Sequence, residues 1–192
     1  VDVGTAISVA VSYTDDLGGV ESPVSVSTAA VVNVNDLPTG SVTITGIPTE
    51  DEILTADPSE LSDADGLGVF SYQWQRDGVD IPGANTNTLT LGDADVGAVI
   101  RVWVSYTDGF GTLESVVSGD TPTIANVNDP GVASIDNTTP SQGDTLTASV
   151  SDADGTTTSI FSYQWRRDGI DIAGATAASY TTTQSDVNAA IS

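Results

Sequence analysis

The chain has no cysteine, no histidine and no methionine, and its four basic residues are all arginine. Each absence removes a chemistry. Without cysteine there are no disulfides, no thiolate nucleophile and no cysteine-type zinc site. Without histidine, the usual metal ligand and the usual general base near neutral pH are missing. Four bases against 27 acids leave a formal charge of -23 over 192 residues. Such a chain cannot replace the counterions of phosphate, so neither nucleic acid nor an anionic membrane surface is expected as a partner. No apolar run approaches the roughly 20 residues that span a bilayer, and no charged-then-apolar signal segment opens the sequence, so membrane insertion is not expected either. With 39% hydrophobic residues and three tryptophans the chain can still bury a core, which argues against wholesale disorder. What is left is an acidic, oxygen-rich protein whose fitting inorganic partner is a hard cation.

What is present is repetition. Val34-Asn35-Asp36 returns 93 positions later as Val127-Asn128-Asp129, and Val11-Ser12-Tyr13-Thr14-Asp15 returns at the same shift as Val104-Ser105-Tyr106-Thr107-Asp108. Phe70-Ser71-Tyr72-Gln73-Trp74 reappears as Phe161-Ser162-Tyr163-Gln164-Trp165, shifted by 91. Three segments follow. Residues 37–129 form one complete repeat, 1–36 the C-terminal part of a preceding one, and 130–192 the N-terminal part of a following one.

Each repeat reads as all-β. Ser41–Thr45, Ile53–Ala56, Phe70–Gln75, Thr88–Leu91, Ile100–Thr107 and Ser115–Ile124 are short β-branched or alternating runs. Asp63-Ala64-Asp65-Gly66, Asp77-Gly78, Gly92-Asp93 and Asp108-Gly109 punctuate them as turns. Six or seven short strands in about 90–100 residues is the pattern of an immunoglobulin-like β-sandwich. Alternation puts Phe70, Tyr72 and Trp74 on one face of their strand, and Ile100, Val102, Val104 and Tyr106 on one face of theirs. Trp74 is then the buried tryptophan of strand C, and Trp103 faces outward. In these letters residues 1–36 supply strands F and G, and 130–192 supply strands A through the start of F.

The acids collect at strand ends. The topology gathers Asp63, Asp65, Asp108 and Glu114 at one end of the complete sandwich. Glu50, Glu52, Asp93 and Asp95 gather at the other, next to the connector Asn126-Val127-Asn128-Asp129 and the following repeat's Asp152 and Asp154. Unit charges 4 Å apart repel by about 1 kcal/mol in water and by several times that at lower effective dielectric. No lysine or histidine can neutralise them. Ca²⁺ takes six to eight oxygens from carboxylates, amides and carbonyls, which is the inventory present; Mg²⁺ prefers stricter sites with retained waters. An EF-hand loop is absent, and so is the Gly-Gly-x-Gly-x-Asp nonapeptide.

The acidic Asn-Val-Asn-Asp connectors resemble the calcium linkers of cadherins. Phe70-Ser71-Tyr72-Gln73-Trp74, Arg76-Asp77-Gly78, Asp95-Val96-Gly97 and Ser105-Tyr106-Thr107-Asp108-Gly109 more closely resemble the tandem Ig-like repeats of bacterial RTX adhesins, which type I systems secrete. The resemblance spans all three segments. It implies a rod of sandwiches with calcium-binding junctions, an extender that holds distal binding domains away from the bacterial cell surface. At one junction it implies Asn126, Asn128 and Asp129 as connector ligands, with Glu52 and Asp95 from the preceding repeat and Asp152 and Asp154 from the following one. At the other it implies Asp2, Asn33, Asn35, Asp36, Asp63, Asp65 and Asp108. Glu50 and Asp93 complete the candidate acids. The expected localisation is extracellular, and the expected partners are calcium ions and neighbouring repeats of the same polypeptide.

Two other functions can be weighed on the residues. An outward Trp103 could stack on a sugar and make this a carbohydrate- or surface-binding module. Paired carboxylates such as Asp63 and Asp65 could serve a hydrolase, but they lie in exposed turns that recur from copy to copy, so no enzyme is expected. Finally, the strand sets of 1–36 and 130–192 are complementary, which predicts head-to-tail completion of one chain's C-terminal part by another chain's N-terminal part.

Overall fold

A computed structural model describes residues 2–192, and nearly all of its regular structure is β. The chain divides into two compact units, the first running to Ala125 and the second Asn126–Ser192. The first contains β1 (Tyr13–Thr14), β2 (Val20–Glu21), β3 (Thr43–Thr45), β4 (Ile53–Asp57), β5 (Ser71–Arg76), β6 (Val79–Asp80), β7 (Thr88–Thr90), β8 (Ile100–Thr107) and β9 (Leu113–Val117). They form antiparallel sheets: β1 with β2, a three-stranded β3-β4-β7 and a four-stranded β6-β5-β8-β9.

The larger two sheets share one core. Leu54 and Ala56 of β4 and Leu89 of β7 meet Trp74 of β5 and Ile100, Val102 and Val104 of β8 in a single buried cluster. The arrangement is that of a β-sandwich. The period-two pattern in β8 builds it: Ile100, Val102, Val104 and Tyr106 are buried, while Trp103 and Thr107 are exposed. The pairing of β5 with β8 sets Trp74 opposite Val102 and Tyr72 opposite Val104. Trp74 is fully buried, and its indole N–H donates to the Thr86 carbonyl at 2.9 Å, so the one polar atom of the ring is satisfied. Between β5 and β6 the two-residue turn Asp77-Gly78 has φ of 47° and 81°. A tight hairpin needs that left-handed pair, and Asp-Gly supplies it at low cost.

The run expected over Ser115–Ile124 is regular only as far as Val117. Beyond it, side-chain hydroxyls replace backbone acceptors. Ser118 Oγ accepts from the Val102 N–H, and Thr121 Oγ1 accepts from the Ile100 N–H. The chain stays attached to β8 without a continuous ladder. It then closes the sandwich laterally: Ile124 exchanges bonds with Gly97 and Ala98, and Ala125 with Pro48 and Glu50, each at 2.9 Å. Both contacts are parallel bridges, Val96 with Ile124 and Thr49 with Ala125.

The second unit contains β10 (Val132–Ile135), β11 (Thr145–Ser151), β12 (Arg166–Arg167), β13 (Ile170–Asp171) and β14 (Ser179–Thr181), in the antiparallel sheets β10-β11-β14 and β12-β13. It repeats the first unit's details. Trp165 is buried and donates to the Ala177 carbonyl at 2.9 Å, and the turn Asp168-Gly169 again has positive φ at both residues. No helix among the described residues is long and apolar enough to cross a membrane.

Candidate metal centre

Five of the sequence-selected residues come together at one end of the first unit. The loop after β4 carries Asp63 and Asp65, the end of β8 leads into Asp108, and the segment before β3 brings Asn35 and Asp36. The Asp36 N–H donates to Asp65 Oδ2 at 2.7 Å, and Asn35 Nδ2 donates to Glu114 Oε1 at 2.7 Å. Asp65 N–H donates to Asp63 Oδ1 at 2.8 Å, an Asx turn that fixes the loop between the two aspartates. The loops of Asp65 and Asp108 are joined by the Gly109 N–H, which donates to the Asp65 carbonyl at 3.0 Å. Their approach depends on Gly68, where a Cβ would sit 2.0 Å from the Thr107 carbonyl oxygen.

Asp65, Asp108 and Glu114 are all buried here. Asp108 Oδ1 accepts from the Phe110 and Thr112 amides, but its Oδ2 is buried with no hydrogen-bond partner. Burial by itself raises the Asp108 pKa; the amides of Thr112, Phe110 and Gly111 outweigh it and hold the carboxyl below its ordinary range. The group is therefore an anion at neutral pH with one bare oxygen. Tyr106 reports the same field. Its hydroxyl donates to Asp63 Oδ2 at 2.6 Å. Burial first, then that bond and the charges of Asp63, Glu114 and Asp108, push its pKa far above the ordinary phenol value. No arginine answers these acids, since the ion pairs among the described residues are Arg76–Asp95, Arg166–Asp171 and Arg167–Asp186.

The remaining candidates fall elsewhere. At the opposite end of the sandwich Glu50 is 2% exposed, and one of its carboxylate oxygens lies within 4.8 Å of one from exposed Asp93. Glu52 is exposed beside it. Asp95 is buried and differently engaged: Oδ1 takes Arg76 at 2.7 Å, and Oδ2 accepts from the Gly92 N–H at 3.0 Å. This fastening ties the end of β5 to the short 3₁₀ turn Asp93–Asp95, and the second unit copies it as Arg167–Asp186 at 2.6 Å. Sequence reasoning missed the fastening, although Arg76 and Arg167 each stand 19 positions before the aspartate they bind. Asp2 is exposed and Asn33 half-buried.

In the second unit, Asp129 N–H donates to Asp154 Oδ2 at 2.8 Å, Asn126 Nδ2 to Asp154 Oδ1 at 2.7 Å, and Asp154 N–H to Asp152 Oδ1 at 3.0 Å. The Asp129–Asp154–Asp152 chain of bonds repeats that of Asp36, Asp65 and Asp63. Asn128 is exposed, and its Nδ2 donates to the neighbouring Asp129 carbonyl at 3.2 Å. Trp103 is 40% exposed, as expected of an outward residue, and its indole N–H donates to Gln75 Oε1 at 3.2 Å.

Asp186 gives a pH dependence. Burial raises its pKa, but donors from Thr183, Arg167 and Tyr180 prevail and hold it at about 2. A depressed carboxyl contributes stability that is present above its unfolded pKa, near 4, and is lost as pH falls toward 2. The second unit should therefore lose stability between about pH 4 and 2. An Asp186→Asn variant, followed by tryptophan fluorescence during acid titration, should start less stable and show a shallower loss over that window.

Chemically, the acid end of the first unit carries carboxylate, amide and carbonyl oxygens, the atom types a hard divalent cation takes, with one bare buried carboxylate oxygen among them, although no three of its carboxylates lie within 4.8 Å of one another among the described residues. No protein-family model matches the chain, and no curated protein matches it closely enough to count as a relative.

Proposed function

We propose that this chain is part of the extender of a bacterial cell-surface adhesin, a run of Ig-like sandwiches stiffened by Ca²⁺ at the segments that join them. The observation that carries the reading is the buried, partnerless Asp108 Oδ2 set among Asp63, Asp65, Glu114 and the joining segment Asn35-Asp36. An ion bound there takes ligands from the sandwich and from the segment entering it. It cancels the mutual repulsion of the acids and removes the freedom of the segment in one step. The pairing of Glu50 with Asp93 and the recurrence of the aspartate chain at Asp129, Asp154 and Asp152 support the same chemistry at further positions. Extracellular calcium modules bind at about 10⁻⁴–10⁻³ M, so such a spacer is loose in cytosol and stiff outside the cell. The alternative of a carbohydrate-binding module has the partial exposure of Trp103 in its favour, but that indole is already bonded to Gln75.

Small-angle scattering tests the reading directly. In calcium the chain should give a longer, better-defined maximum dimension than in EDTA, and magnesium should not substitute. Identical profiles in calcium and chelator would sink it.

A further inference from the structure

The outer face of the sheet β6-β5-β8-β9 is set apart by its charge. The outward positions of β5, β8 and β9 hold serine, glutamine, threonine, tryptophan, leucine, valine and one arginine, and no acid, in a chain with 27. Asp80 on the edge strand β6 borders this face. It lies in one row with Gln75 and Arg101, since Gln75 stands opposite both. Gln75 separates the two charges. Its Nε2 donates to Asp80 Oδ1 at 2.7 Å, while its Oε1 accepts from Arg101 Nε at 2.7 Å and from the Trp103 indole at 3.2 Å.

The second unit treats the same place differently. Its Arg166 stands where Gln75 does and binds Asp171, the counterpart of Asp80, directly at 2.9 Å. The complete sandwich has a base and an acid in the row, yet neither Arg101 nor Asp80 belongs to an ion pair among the described residues. They lie two strand spacings apart, about 9–10 Å. Trp103, next along β8 on the same face, is 40% exposed. An exposed aromatic beside an arginine, on a face cleared of acids, is the composition of a protein interface.

We propose that this face binds the same face of a second copy of the chain, with Arg101 of each copy on Asp80 of the other. The charges name the occupant. A partner must offer an acid and a base about 9–10 Å apart, and the face itself does so. A two-fold axis along β5 lays β8 of each copy over β6 of its partner and forms both pairs at once. An axis across the strands would set Asp80 on Asp80, so the charges select copies whose strands run the same way. The contact apposes no other acids from β5, β8 or β9, which matters for chains of charge -23. A neutral sugar would engage Trp103 and leave the two charges unanswered. The ion pairs set the register, and covering Trp103 supplies affinity. The inference does not depend on calcium.

Sedimentation of the full chain tests this at about 0.15 M salt, where exposed charges more than about 8 Å apart are screened. The apparent mass should rise from 19.5 kDa toward twice that value with concentration. Arg101→Glu sets an acid against Asp80, and Asp80→Arg sets a base against Arg101, so either variant alone should stay monomeric. Mixed in equal amounts they should associate again as a mixed pair, because the exchanged charges answer one another. Both side chains lie outside the core, so each variant alone should keep the parent's tryptophan fluorescence. A parent that is monomeric at every concentration, association indifferent to both variants, or a mixture that stays monomeric would overturn the proposal.

Discussion

At about 10 mM CaCl₂ the chain is expected to melt roughly 5–20 °C higher than in EDTA, with no comparable gain from magnesium. The size follows from mass action. A site with a dissociation constant of about 10⁻⁴–10⁻³ M at that concentration adds roughly 1.4–2.7 kcal/mol, and each kcal/mol moves a domain of this size by about 4–8 °C. Asp108→Asn supplies the sign that charge screening cannot imitate. With an amide in place of the bare oxygen, the repulsion from Asp63 and Glu114 falls, so the calcium-free protein should melt no lower than the parent. Its gain in calcium should shrink. If parent and variant respond alike, Asp108 is not a ligand.

Trp74→Ala is expected to cost roughly 3–5 kcal/mol, a large share of the 5–15 kcal/mol typical of a domain. Trp74 touches both sheets through the shared core and is fully buried, so its removal leaves a cavity that the flanking strands cannot fill by moving independently. Its indole bond to Thr86 is lost as well, leaving that carbonyl to find another donor. Denaturant unfolding of the first unit should shift to much lower midpoint or lose cooperativity. Trp103→Ala, on the exposed face of the same sheet, should do far less.

Strands with a two-residue period were legible from the sequence. β8 was expected at Ile100–Thr107 and is found there, because four apolar residues alternate with four that tolerate solvent. Trp74 and Val102 were placed by the same argument. The short β6 was not, since two residues carry no periodicity; the Asp77-Gly78 turn creates that strand. The end of β9 was misjudged because Ser118 and Thr121 read as strand formers, while their hydroxyls interrupt the ladder they sit in. Among the acids, Asp63, Asp65 and Asp108 share one sandwich end with Asn35 and Asp36, a grouping that loop order alone suggests. The binding of Asp95 by Arg76 needed coordinates. It joins the end of β5 to a 3₁₀ turn 19 positions on, and composition hid it, since four bases among 27 acids read as a background rather than as fasteners. The hydroxyl of Tyr106 escaped for a similar reason: its periodicity marked it as core, and its polar tip reaches Asp63 from inside.

The lateral closure at Ala125 bears on tension. A chain pulled from Asp36 at one end and Ala125 at the other draws the last residues of the sandwich along their own axis. Four hydrogen bonds stand across that line, two from Ile124 to Gly97 and Ala98 and two from Ala125 to Pro48 and Glu50. Because both bridges are parallel, the load falls on all four together in shear instead of opening them one after another. Under stretch the Ala125 end of the sandwich should therefore hold until these four bonds give way together.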